Sequence, residues 1–525
     1  MDEQVFLRER RVCMVRFTGH PLVDVGVAVI TLFSQRQRPE DVTYADLERM
    51  ADYMATQYIR QPLKSFLTVA FTSNAWFSQD AFNPDKPGLT EEEREKRKQA
   101  RDQWMDHHLR FWRTEDTNLE VDVFTQERVV PVSLSGKLQP GRAARAQIPL
   151  TLGDEYINFF AEGDPGIPIS GKTLLCLQAF PLGCAKSAGR LLAVHSDNED
   201  VILDFAAKFL QENRLAIQLA QQAGATKLPE APRALRTLLV ETLLDALDKQ
   251  GALRRDARPF SITAYHLTNS GQGAALDLYH LPLQIVSFLH DMHLAEYHLD
   301  WAAVVQRAWE LPPPKAAKAV AAPLAEFKPR RNWLYEDLFR LPGNAPAFIR
   351  TYFLRVALRA VRNVPTDPRG AYSTKDQPEL VSWKITERFL KGVLQMDKQR
   401  IAEIRQLGDR LAAYVSGQND RRFFREFFAL QNYGHLRNAL IKANMAHVRR
   451  GQPPLITLDP YLVVFEEGDE VAHADWRLAR DLVLIRMIEQ LHGQGWLRQN
   501  TDAIPDVAET AENAENRQTD TPEEN

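Results

Sequence analysis

Cysteine is nearly absent from this chain. Three occur in 525 residues, Cys13, Cys176 and Cys184, and none forms a CxxC pair. That excludes a disulfide framework and a four-cysteine zinc site, and it fits a reducing compartment. Long apolar runs are missing too. Nothing approaches the roughly 18 to 20 residues needed to span a bilayer, and the opening MDEQVFLRERR lacks the apolar core of a signal peptide. A soluble, cytoplasmic protein without a membrane partner is expected. Glycine and proline, at 25 and 30 residues, are too sparse for a collagen or a low-complexity scaffold.

One sign of charge is scarce locally. The net charge is minus 4, yet Lys328 to Arg450 holds 24 Lys+Arg against 11 Asp+Glu, and Thr501 to Asn525 holds 8 acidic residues against one basic. The acidic end has the composition of a disordered tail. The basic stretch has helical periodicity, with helices expected over about 346–362, 379–395, 397–415, 420–431 and 434–450, and a further one over 475–492. Arg355, Arg359 and Arg362 fall at i, i+4 and i+7, as do Lys384, Arg388 and Lys391, so each trio is expected to line one helix face. Phe348, Ile349, Tyr352, Phe353 and Val356 would form the apolar face of the first helix; Val381, Ile385, Phe389 and Val393 would form that of the second. Solvated faces usually mix signs, so two single-sign ridges point to a polyanion, with a phosphate backbone foremost. Arg421 and Arg422 extend the same basic region.

Upstream, the chain alternates in character. Residues 12 to 33 read as an apolar strand, a Gly-His-Pro turn, and a second apolar segment too rich in Val and Ile for a clear helix. Tyr44 to Tyr58 has helical spacing, and Leu67 to Phe71 is a short buried-strand candidate before the polar loop Thr72-Ser73-Asn74. Thr90 with Glu93 opens a mixed-charge helix through a capping box. Residues 121 to 152 read as β structure broken by SGKLQPGRAARAQ, which gathers Lys137, Arg142 and Arg145 on a candidate backbone clamp; a plain hairpin tip is the alternative. Two helices, Val201 to Gly224 and Pro232 to Asp248, precede a hairpin, Ser261 to Leu267 and Ala274 to Leu281. Its tip carries Asn269 and Gln272, amides able to read base edges, as is Asn74.

Two enzyme readings compete. Gly166 to Thr173, GIPISGKT, matches the phosphate-loop pattern GxxxxGK[ST]. Glu162-Gly163-Asp164-Pro165 stand where a buried strand is required, and Pro168 removes a backbone donor. The His290, Asp291, His293 and His298 cluster tempts a metal-dependent phosphodiesterase reading, but no further ligands at suitable spacings accompany it.

Three segments carry a family likeness: FTGHPLVDVGVAVI near the start, ISGKTLLCLQAFPLGCAKSAGRLLAVHSD from Ile169 to Asp197, and AYHLTNSGQGAALDLYHLP from 264 to 282. Together they resemble the large subunit of type I-B CRISPR Cascade, the RNA-guided surveillance complex. His20 stands where that family's turn has Asn, and the paired CxxC motifs of some members are absent. The resemblance implies a non-catalytic, cofactor-free subunit that engages guide RNA, target DNA and the Cascade backbone subunits, recognises the motif flanking the target (the PAM), stabilises the R-loop, and offers a docking surface to the helicase-nuclease. A transposon-associated version recruiting a transposition adaptor is the alternative. It also implies that an internal start at Met396 can yield a separate small subunit.

The expected fold class is α+β. A large mixed α/β domain, 1–310, is followed by a Pro/Ala-rich linker, 311–330, a basic α-helical bundle, 331–497, and a disordered acidic tail, 498–525.

Overall fold

The computed structural model describes residues 15–113, 120–129, 133–135, 137–156, 163–253, 259–269, 273–314, 327–466 and 472–505. Cys13, Gln272 and the acidic residues 506–525 lie outside them, as does most of the expected linker. The chain is α+β and divides into two compact units, Met1–Leu283 and Gln284–Asn525. Residues 284–310, read from sequence with the mixed domain, thus fold with the helical unit. Phe288 explains this: its ring meets Trp301 and Phe389 edge-on, each with centroids 5.4 Å apart.

The first unit is assembled around helix α1, Pro21–Phe33, in which every residue from Leu22 to Thr31 is buried. The Val and Ile content that argued against a helix is overridden here, because burial on all sides outweighs a propensity difference of about 0.5 kcal/mol per residue. The preceding turn needs Gly19, whose φ is +87°. His20 then caps the helix, its Nδ1 accepting from the Val23 amide at 3.4 Å, and Pro21 takes the first position, where its missing N–H costs nothing. Gly26 admits a close approach of backbone: a Cβ there would lie 2.0 Å from the Cys176 carbonyl oxygen.

Helices α2, Tyr44–Gln57, and α3, Glu91–His108, begin with capping boxes, Thr43 with Asp46 and Thr90 with Glu93. Between them, Leu67 to Phe71 is not a strand. Leu63–Leu67 is a short helix that runs into a turn, and the buried side chains of Leu67, Ala70 and Phe71 made the apolar run. Nor is 121–152 a sheet among the described residues. Strand β1, Arg142–Ala143, pairs antiparallel with β2, Ile167–Pro168, and Val121 bridges Arg128; the remainder is largely turn, with Gly141 at φ +88° and Leu150 at +69°.

Helix α4, Gly171–Ala179, packs on α1. A four-stranded antiparallel sheet follows in the order β3 (Ala185–Ser187), β4 (Arg190–Ser196), β5 (Ile262–Thr268), β6 (Ala275–Leu281). Its last pair is the expected hairpin, in register Ile262 to Leu281. Helices α5, Glu199–Gln222, and α6, Leu235–Leu253, lie in sequence between β4 and β5, with α5 against α1 and β4.

The second unit is helical among its described residues: α7 (Leu283–Met292), α8 (His298–Gln306), α9 (Trp333–Leu338), α10 (Trp383–Gly392), α11 (Lys398–Gln418), α12 (Arg421–Ala429), α13 (Tyr433–Val448), α14 (Leu458–Phe465), α15 (Trp476–Gly493) and α16 (Trp496–Gln499), with shorter turns between. At its centre α15 is buried almost throughout, including Arg480 and Asp481, and it packs along α11. The helix expected over 346–362 does not form. Ala345–Phe348 is one α-helical turn, Ile349–Phe353 is a π turn, and Arg355 at φ +61° ends the run. Chain packing continues past 498, with Ala503, Ile504 and Pro505 all buried.

Candidate nucleic-acid interface

Breaking the 346–362 segment after Leu354 takes the first basic ridge apart. Arg355 is wholly buried, its guanidinium carbon 3.4 Å from the centre of the Tyr372 ring. Its Nε and Nη2 donate to Gln377 Oε1 at 2.9 and 2.6 Å. Burial lowers its pKa despite the attraction of Tyr372. Arg355 is therefore a core side chain. The helical spacing that put it beside Arg359 and Arg362 does not exist here; the latter two are exposed on and after a 3₁₀ turn, Arg359–Val361.

The same break opens a cleft. It holds about 720 Å³. One wall is the chain from Pro346 to Ala360 and the other is formed by the end of α12 and the first turns of α15. Arg350, Arg359, Arg477 and Arg480 line it against a single carboxylate, Asp481, a net of plus 3, with Val356, Leu358, Phe428 and Leu478 as apolar surface. Asp481 has two arginine neighbours, Arg350 Nη1 at 2.9 Å and Arg480 Nη2 at 2.6 Å. Arg480 is nearly inaccessible and also donates to the Leu430 carbonyl, and burial depresses its pKa. It is the fixed floor of the cleft. Arg477 and Arg359 are exposed at its walls. Sequence reasoning found Arg359 and missed Arg350, Arg477 and Arg480. Arg477 lies past the basic window, and its i, i+3 spacing with Arg480 after Asp475 was the available signal.

The second ridge does form, on α10. Lys384, Arg388 and Lys391 share a hollow of about 360 Å³ with Arg405 and Arg486, but Glu296, Glu387 and Glu489 line it as well. Each cation is engaged: Arg388 Nε with Asp291 at 2.6 Å, Lys391 with Glu387, and Lys384 with the Glu296 carbonyl and the Tyr297 ring. Asp291 is thus held by Arg388, and among the described residues no three His, Cys, Asp or Glu are placed to hold a metal ion.

A third surface comes from α13. No acidic residue occurs between Glu426 and Asp459. Arg437 and Lys442 on this helix and Arg449 at its C-cap are exposed with Ile441, Met445 and Val448, the last three between 46 and 50 % exposed. Leu436, Ala439, Leu440 and Ala443 face the core. Arg421 and Arg422 are exposed in the first turn of α12, Arg421 3.4 Å from Asp502.

In the first unit the expected loop residues separate. Asn269 is fully buried and accepts at Oδ1 from Arg145 Nε at 2.9 Å and from the Leu150 amide at 3.3 Å. Arg142 is buried, paired with Glu120 at 2.5 Å and bonded to the Gly166 carbonyl at 3.4 Å. Both Asn269 and Arg142 are structural, because a buried amide or guanidinium holding protein partners has no donor to offer a groove. Arg145 is half-buried beside Asn269; Lys137 is exposed and paired with Glu155. Asn74 is exposed, its carbonyl accepting from Gln79 Nε2 at 2.9 Å.

The phosphate-loop match is occupied from within. The Ser170 amide donates to Asp122 at 2.6 Å, and the Lys172 ammonium to Glu127 at 2.9 Å. These are two of the donors such a loop turns toward a phosphate.

A different site organises the resembling turn. Asp24, 1 % exposed, accepts from the Thr18 amide at 2.6 Å and hydroxyl at 2.9 Å, the Gly19 amide at 2.9 Å and His195 Nε2 at 3.0 Å. One carboxylate thereby ties the turn, α1 and β4 together. Burial and the neighbouring His195 lower the His20 pKa, with Asp24 opposing.

The chain matches no family model, no curated protein and no solved structure. Among the described residues no helix is long and apolar enough to cross a membrane.

Proposed function

We propose that the chain is a non-catalytic nucleic-acid-binding subunit, the large subunit of a type I-B CRISPR surveillance complex. The observation that carries the reading is the cleft of the second unit, where Arg359 and Arg477 stand exposed on walls backed by Arg350, Arg480 and a single aspartate. Guanidinium groups interleaved with apolar surface suit a polyanion that also presents flat bases, which is a single-stranded nucleic acid. Affinity there comes from phosphate neutralisation and carries little sequence information. The resemblance supplies the rest: base pairing with the guide RNA reads the target, the first unit reads the flanking motif, and the second unit follows the displaced strand. Asn74 remains the exposed candidate for motif reading, while α13 and the first turn of α12 add phosphate contacts. Backbone subunits and a helicase-nuclease are the partners this reading requires, along with a small subunit translated from Met396.

Co-expression with a guide RNA and the neighbouring genes tests it. The tagged chain should co-elute with RNA and repeated backbone subunits, and the assembly should bind target DNA with a steep salt dependence. Elution of the chain alone, together with no binding to single-stranded or duplex DNA at about 50 mM salt, where phosphate contacts are strongest, would overturn the proposal.

A further inference from the structure

The end of the described chain leads into the cationic cleft. Pro505 is itself one of the residues that line it, together with Arg350, Arg359 and Arg477. The 20 residues that follow, 506–525, hold seven acidic residues and one arginine, a net of minus 6, against the plus 3 of the cleft. We propose that residues 506–525 bind back into this cleft as an intramolecular competitor of nucleic acid. The inference rests on the cleft being the polyanion site.

Three physical points carry it. The first is reach: the segment starts at the cleft wall, so no span has to be crossed, and at about 3.3 to 3.6 Å per residue a few residues suffice to pass the four arginines. The second is pattern. Asp506, Glu509, Glu512 and Glu515 recur every three residues with only Val507 as a sizeable aliphatic side chain, so the segment presents charge with little to bury elsewhere. The third is effective concentration. A tethered ligand beside its site acts at an effective concentration of order millimolar. A segment whose free peptide binds with a Kd of about 1 mM would therefore fill the cleft half the time, and one ten-fold tighter would lower nucleic-acid affinity about ten-fold. Such a device favours a long strand with many phosphates over short, adventitious polyanions. It also weakens as salt rises, since the Debye length is about 8 Å at 0.15 M.

The test uses three forms of the full protein: the intact chain, a chain ending at Pro505, and a full-length chain with the seven acids changed to Asn or Gln. Binding of a fluorescent 20-nucleotide single strand is measured at 0.1 and 0.5 M NaCl, and binding of a labelled synthetic peptide of residues 506–525 to the shortened chain is measured separately. Truncation and neutralisation should each raise oligonucleotide affinity two- to ten-fold at 0.1 M, with the gap closing at 0.5 M. The peptide should bind the shortened chain, compete with the oligonucleotide, and lose binding with Arg359→Glu and Arg477→Glu. Oligonucleotide bound equally by all three forms, with no peptide binding, overturns the competitor and leaves the nucleic-acid reading standing. Peptide binding that depends on both arginines, with no oligonucleotide bound by any form, retains the tail contact and overturns the nucleic-acid reading instead.

Discussion

Arg355 separates a structural arginine from a binding one, and the two roles predict opposite results. Changing it to Leu removes both donors from Gln377 Oε1 and the cation from the Tyr372 face. Losing a hydrogen bond to a charged group costs about 1.5 to 3 kcal/mol and losing a desolvated cation–π contact about 2 more. Part is returned, because Arg355 Nη1 is buried with no hydrogen-bond partner among the described residues, so a net loss of about 3 kcal/mol is expected. For a unit of this size that is about 2 to 4 °C per kcal/mol, or about 6 to 12 °C in the second unit's thermal midpoint. Below that midpoint, the slope of log K against log salt for single-stranded DNA should be unchanged. The double variant Arg359→Gln, Arg477→Gln should do the reverse. Its midpoint should stay within about 0.5 kcal/mol equivalent, while two lost phosphate contacts shallow the single-strand slope by about 1.4. Calorimetry and fluorescence titration across a salt series read both quantities. Arg355→Leu with an unshifted midpoint, or with a shallower slope in the folded protein, would refute the placement.

Three further outcomes are expected. His20 has its pKa lowered by burial and its Nδ1 must stay unprotonated to cap α1, so the unfolded chain takes up a proton first as pH falls below about 6.5. Stability of the first unit should therefore be full above that pH and decline on acidification toward the lower folded pKa, less so in His20→Asn; parallel midpoint curves between pH 7.5 and 5 would contradict this. Gly26→Ala would drive a Cβ into the Cys176 backbone, 2.0 Å from its carbonyl oxygen, and should cost more than about 3 kcal/mol, read as lost soluble yield or a lowered urea midpoint. Met396→Leu should abolish a fragment of residues 396–525 in intact-mass spectra of the assembly; that fragment keeps α11 to α16 but lacks the cleft wall from Pro346 to Ala360, so it should bind single strands more weakly than the whole chain.

The sequence by itself determined the elements whose signals are local. The capping box at Thr90, the β5–β6 hairpin, and α10 to α13 with α15 follow from periodicity and turn chemistry within a few residues. Met396 was legible as a boundary too, since Asp397 caps α11 by accepting from the Gln399 and Arg400 amides at 2.8 and 3.0 Å. Charge told that the second half is cationic, but not which cations are free. Arg355, Arg142 and Asn269 look the same in sequence as exposed contacts, and only their distant partners, Gln377, Glu120 and Arg145, withdraw them into the interior. The α1 helix was misread for a related reason: its Val and Ile are unfavourable locally and become favourable once α4, α5 and β4 surround them. The cleft was out of reach altogether, because it joins Arg350 to Arg480 across 130 residues of chain. A charge's availability depends on what stands beside it, and that is decided by tertiary packing.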